Sequence, residues 1–145
     1  MTDWRQLTQE VLAREYSPSS MVPEGWAPWL DRWRDATAAA RRVPRTRPAV
    51  RYGPGAEELL DLYAPLDAPD PGAPLVVYFH GGYWQDPVSR ADSGYGAPAL
   101  VAAGIAHAVP DYALAPVVTV GQITDQATRA ARWLVRQASQ LRVDP

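Results

Sequence analysis

The apolar positions along the chain change period near residue 45. In "DWRQLTQEVLAREY", Trp4, Leu7, Val11 and Leu12 fall near helical spacing and Asp3 is available as an N-cap. That spacing predicts an amphipathic helix over about 3–16, closed by "SPSS". A second helix is expected over about 26–42, where Trp26, Trp29, Leu30 and Trp33 form one apolar stripe best read as core packing. Two prolines in "VPRTRP" break it, and the period then drops to that of strands in "AVRYGPG" and "EELLDLYAP". "PDPGAP" (69–74) is a turn, and the unbroken Leu75, Val76, Val77, Tyr78 and Phe79 predict a strand buried on both faces. Helices over 95–104 and 119–141, with the strand "IAHAVPDYAL" between them, complete an alternation of strand and helix. Such an alternation predicts an α/β fold with a mostly parallel sheet and right-handed crossovers. Two segments are expected: a helical extension over 1–48 that packs on the core, and an α/β part over 49–145.

Composition narrows this picture. With 145 residues, 47% of them hydrophobic, the chain can build one modest core. A formal charge of −2 with interspersed signs provides no basic face, which argues against nucleic acid as a partner. All 14 basic residues are arginine, which together with 15 prolines points to coding bias and not to chemistry. The absence of cysteine excludes disulfides and thiolate chemistry and is consistent with a reducing cytoplasm, the expected location. The polar start "MTDWRQLTQEV" lacks the apolar region of a signal peptide, and no apolar run approaches the roughly 18 residues of a spanning helix, so no membrane partner is expected.

The chemistry concentrates where the apolar strand stops, at His80-Gly81-Gly82-Tyr83-Trp84. Two glycines after a strand let the backbone turn sharply and leave amide N–H groups unobstructed, a suitable site for an anion. On the glycines alone, an ordinary turn at a strand end is an equal reading. The motif is, however, of the HGGG type that supplies one donor of the oxyanion hole in α/β-hydrolases.

"REYSPSS", "RYGPGAEELLDLYAP", "HGGYWQ" and "VPDYALAP" occur in an order that resembles the α/β-hydrolases, and within them the kynurenine formamidases (arylformamidases) and their esterase relatives. The resemblance implies the N-terminal half of such a fold and a serine hydrolase acting on a small-molecule aromatic amide or ester. N-formylkynurenine, cleaved to kynurenine and formate in tryptophan catabolism, is the substrate it suggests. It implies that the Gly82 and Tyr83 amides hold the oxyanion, that Tyr83 and Trp84 wall the substrate pocket, and that His80 braces the loop beside Gly81. Tyr83 stands where general esterases usually carry a third glycine.

The nucleophile elbow G-x-S-x-G, followed by the acid and the histidine, is absent from these residues, and "ASQLRVDP" (138–145) reads as the loop leading toward that elbow. Ser93, in "ADSGY", has Ala91 and Tyr95 where the elbow needs glycines and reads as a decoy. His107 lies in a buried strand and reads as a satisfied core histidine. Two histidines without cysteine fall short of a zinc site, so no metal or cofactor is expected. Three readings follow. The chain is part of a formamidase-like or general carboxylesterase hydrolase, inactive by itself; or an inactive binding module; or a remnant. Because the sheet would be partly built from other residues, the stripe Ile123, Ala127, Ala130, Ala131 and Leu134 is expected to lie partly uncovered. That stripe would favour self-association or pairing with a complementing C-terminal half.

Overall fold

The computed structural model describes residues 3–17, 22, 25–85 and 87–145. It divides into two compact units, Met1–Arg32 and Trp33–Pro145. Part of the expected stop "SPSS", residues 18–20, lies outside the described residues.

In the first unit the single helix expected over 3–16 is two pieces. Asp3 caps a 3-10 turn, Trp4–Gln6, and Thr8 caps α1, Gln9–Glu15, by accepting from the Val11 N–H. Leu7 and Thr8 are extended because the threonine oxygen competes for the backbone donor a continuous helix would use. No residue of either piece is buried.

The second helix, α2, spans Ala27–Ala40 and crosses the boundary between the units. Of the stripe that the spacing suggested as core, Leu30 is buried and Trp26 half-buried, but Trp29 and Trp33 are not core. Trp29 is 44% exposed under the Arg32 guanidinium, and Trp33 is 39% exposed and stacked on Tyr95. In the second unit the buried positions of α2 are the small Thr37 and Ala40. Large amphipathic rings can bury one edge and leave the rest in water, whereas small side chains permit close approach.

The second unit is built on a five-stranded sheet. Its strands are β1 (Arg47–Arg51), β2 (Leu59–Tyr63), β3 (Ala73–Val77), β4 (Ala106–Pro110) and β5 (Val143–Asp144), in the order β1-β2-β4-β3-β5. The sheet is mixed and not mostly parallel. β1 with β2 and β2 with β4 are antiparallel, while β3 pairs in parallel with both β4 and β5. The turn between β1 and β2 is too short to carry a parallel crossover, so those two strands must run opposite ways.

Strand alternation separates the two faces. Leu60, Leu62, Ala106, Ala108, Leu75 and Val77 point to one side and pack with Ala130, Leu134 and Leu141 of α5, Val120–Leu141. Thr119 starts α5 with a reciprocal cap to Gln122. The stripe expected to lie partly uncovered is largely covered, with Ile123, Ala130 and Leu134 buried, although Ala131 is exposed. On the other side Tyr63 and Val109 pack with Ala40 of α2 and Ala97 of α4, Ala97–Ala102.

The run after the turn is not buried on both faces: Val76 is 41% and Tyr78 40% exposed. Five apolar residues in a row mark a strand, but α5 covers only alternate members. The segment expected as a loop over 138–145 is the end of α5, a left-handed cap at Arg142 and β5. Gly72 permits the pairing of β5 with β3, because a Cβ there would meet the Val143 carbonyl carbon at 2.5 Å.

Candidate functional site

β3 extends its ladder by one bond, Tyr78 N–H to Ala108 C=O at 2.8 Å, and then delivers the chain into the His-Gly-Gly loop. His80 is buried, with its ring stacked on Tyr112 at a centroid distance of 4.3 Å and an angle of 8°. Its Nδ1 lies 3.0 Å from the Gly81 carbonyl, and since a carbonyl only accepts, Nδ1–H is the donor. Nε2 faces Asp111 Oδ1 at 3.7 Å. The Tyr112 hydroxyl donates to the His80 carbonyl.

The loop backbone that follows is unusual. Gly82, Tyr83 and Trp84 all have positive φ, +116°, +50° and +65°. For the two aromatic residues this conformation costs on the order of 1–3 kcal/mol each and persists only where surrounding contacts impose it. The contacts are a Gln85 N–H to Gly82 C=O bond of 3.0 Å and an Ala115 N–H to Trp84 C=O bond of 2.7 Å. Residues 111–115 therefore hold residues 80–84 at both ends. Among the described residues the Gly82 N–H has no hydrogen-bond partner.

Behind the loop lies a network of charges. Asp111 accepts from the backbone N–H and the guanidinium of Arg90. The same guanidinium donates from Nε to Asp61 Oδ1 at 3.0 Å, and Asp61 Oδ2 takes Arg41 at 3.0 Å. A register shift in β1 turns the Ala49 N–H onto Asp61 as well, at 2.8 Å. Arg90 opens α3, Arg90–Ser93, and the reciprocal cap between Ser89 and Asp92 fixes its start. Burial raises the Asp111 pKa above the usual carboxylate value, and the Arg90 amide and guanidinium oppose that rise. Burial, then the neighbouring Asp111 charge, pushes the Tyr112 hydroxyl up to about 12.

A cleft of about 380 Å³ lies against this network, lined by His80, Asp111, Tyr112, Val88, Leu114 and Val117 among others. Residues 81–84 do not line it. Tyr83 and Trp84, expected to wall a pocket, are 62% and 47% exposed, and Trp84 leans on Tyr112 with ring centroids 5.8 Å apart.

Ser93 and His107 are both buried and line a separate hollow of about 210 Å³ with Val76, Tyr78, Tyr95 and Leu100. Burial lowers the His107 pKa, outweighing the pull of the Val76 and Ser93 backbone. The expectation of a satisfied core histidine holds for its burial but not for Nδ1, which has no hydrogen bond among the described residues.

Sequence reasoning placed His80, Gly81 and Gly82 at the end of β3, but it passed over Arg90, Asp61, Asp111 and Tyr112 as individual residues. A signal existed for one of them: an aspartate inside "LLDLY" must find a cation once the strand is buried.

The strand order, the helices on the two faces and the glycine loop after β3 define the α/β-hydrolase fold of the esterase type. A match to the BD-FAE family covers residues 60–145, and the chain belongs to that family of hydrolases. It is 34% identical to the kynurenine formamidase of Danio rerio over 146 residues, 97% of this chain and 49% of that protein. A Silicibacter sp. TM1040 protein proposed to be a thioesterase superposes with a TM-score of 0.74 at 28% identity, over 84% of this chain and 45% of that one. Esterase B of Lactobacillus rhamnosis gives 0.66 at 26% identity, over 93% and 42%. The chain thus spans about half the length of the relatives it matches. Among the described residues no helix is long and apolar enough to cross a membrane.

Proposed function

We propose that this chain provides the oxyanion loop of a serine hydrolase that releases a small acyl group, formyl foremost, from an aromatic amide. The observation that carries this reading is the left-handed turn at Gly82, Tyr83 and Trp84 directly after β3, with the Gly82 N–H unpartnered among the described residues. Amides preset in this way favour the charge that develops on a carbonyl oxygen under attack, at no cost of reorganisation. The nucleophile, its acid and its histidine would come from outside residues 1–145. The similarity to kynurenine formamidase over 97% of the chain supports an N-formyl aryl amide as the substrate.

A second reading, a general carboxylesterase, is favoured by the outward Tyr83 and Trp84, which do not line the cleft beside Asp111, and by the likeness to Esterase B. The two readings separate in one experiment. The coding DNA is read beyond codon 145 for G-x-S-x-G, the protein that includes that elbow is expressed, and formate release from N-formylkynurenine is compared with hydrolysis of long-chain aryl esters. Preferential formate release is expected, and preference for long acyl chains overturns the formamidase reading. The 145-residue chain assayed alone should hydrolyse neither, because an oxyanion hole without a nucleophile supplies only residual catalysis.

A further inference from the structure

We infer that Arg90 is the positioning residue for the oxyanion loop, acting through Asp111 to hold the strained turn at residues 82–84 in place. This inference takes the loop's role from the proposed function, but what it asserts about Arg90 concerns the loop's conformation and can be read without catalysis.

Three facts converge on Arg90. The turn is strained at two non-glycine residues, so something outside it must hold it. Its holders, the Tyr112 hydroxyl on His80 and the Ala115 N–H on Trp84, belong to the segment that begins at Asp111, and Asp111 also faces His80 Nε2. Asp111 in turn receives Arg90 twice, through backbone and guanidinium, while the other side of that guanidinium is tied to Asp61 in β2. Asp61 is fully buried and pinned by Arg41 and the Ala49 N–H, so it is a fixed point. The Asp111 backbone is already tied to β2 by its N–H on the Leu59 carbonyl and by the Tyr52 hydroxyl on its own carbonyl, and Arg90 is the side chain that ties the Asp111 carboxylate to Asp61 of that strand. A guanidinium is suited to this because its planar fork serves two carboxylates at once, and an ammonium offers no such geometry.

Amide hydrogen exchange on the 145-residue protein tests this, followed by NMR, with Gln85 and Ala115 as reporters because their N–H groups close the turn. In Arg90→Gln both reporters should exchange at least about tenfold faster, while the amides of α5 change by less than about twofold. Arg90→Lys should fall between Arg90→Gln and the parent. If Arg90→Gln does not fold, Asp111→Asn, which keeps the shape and one accepting oxygen, should produce the same selective loss. Reporter exchange within about twofold of the parent in a folded Arg90→Gln or Asp111→Asn variant overturns the inference. So does acceleration spread equally over the loop and α5, which would mark Arg90 as a general stabiliser. A failure of the formamidase reading shows instead in the substrate comparison and leaves these exchange rates untouched.

Discussion

The two faces of the sheet solve the same problem by different physics. Under α5, Leu60, Leu62, Ala106 and Ala108 meet Ala130, Leu134 and Leu141, a dry apolar layer with a Glu58–Arg129 ion pair beside it. On the other face the same strands present Asp61, Tyr63 and His107, backed by Arg41, Arg90 and small residues of α2 and α4. Thr37 Oγ1, Tyr63 Oη and His107 Nδ1 lie buried there without a hydrogen bond among the described residues. The α5 face is held by area removed from water, and the opposite face by charges that must stay paired. The charged face is also where the chain reaches the loop at residues 80–84, so the more costly construction sits behind the candidate chemistry.

The sharpest way to break this comparison is at Asp61. Asp61→Ala leaves Arg90 and Arg41 short of their shared partner and should cost about 3–5 kcal/mol, read as a drop in the urea midpoint. Leu134→Ala, on the apolar face, should cost about 2–5 kcal/mol through lost burial and the cavity left behind. An Asp61→Ala loss under about 1 kcal/mol would show that the charged face contributes little to stability. Gly72→Ala comes next, at about 1–3 kcal/mol, because the new methyl must displace the Val143 backbone and loosen β5 from the sheet.

Alkaline pH sharpens the contrast by a different route. Burial raises Tyr63 and Tyr112 from the ordinary 10.0 to about 12, so folded protein favours their protonated forms. Their contribution to stability is complete below pH 10 and is lost as pH rises from 10 toward 12. Denaturant midpoints should therefore fall as pH rises through that window, and the phenolate absorbance of these two groups should appear late. The smallest effect is expected at Val76→Thr. Its side chain is 41% exposed, and the change in stability should stay within about 0.5 kcal/mol.

Much of the fold was legible along the chain. "LLDLY" alternates, and the structure puts Leu60 and Leu62 on one face and Asp61 and Tyr63 on the other. The helix expected over 119–141 is α5, Val120–Leu141, and His80-Gly81-Gly82 follows β3 as expected. The tryptophan stripe of α2 misled because helical spacing identifies a shared face without saying what covers it. The run from Leu75 to Phe79 misled for the same reason, since five apolar residues in a row say nothing about which face a helix will occupy.

By itself, then, the sequence determined the local periods, the turns, the caps and the place of the glycine loop, because those depend on residues two to four positions apart. Only the tertiary structure decided that β2 runs antiparallel to β4, that α5 closes one face, and that Arg90 joins Asp61 to Asp111 across separations of 29 and 21 residues. It alone turned Tyr83 and Trp84 into the left-handed region, a conformation their own side chains disfavour. Such pairings and strains have no local periodicity, since they arise when distant segments are brought together and the energy of the whole outweighs the preference of the part.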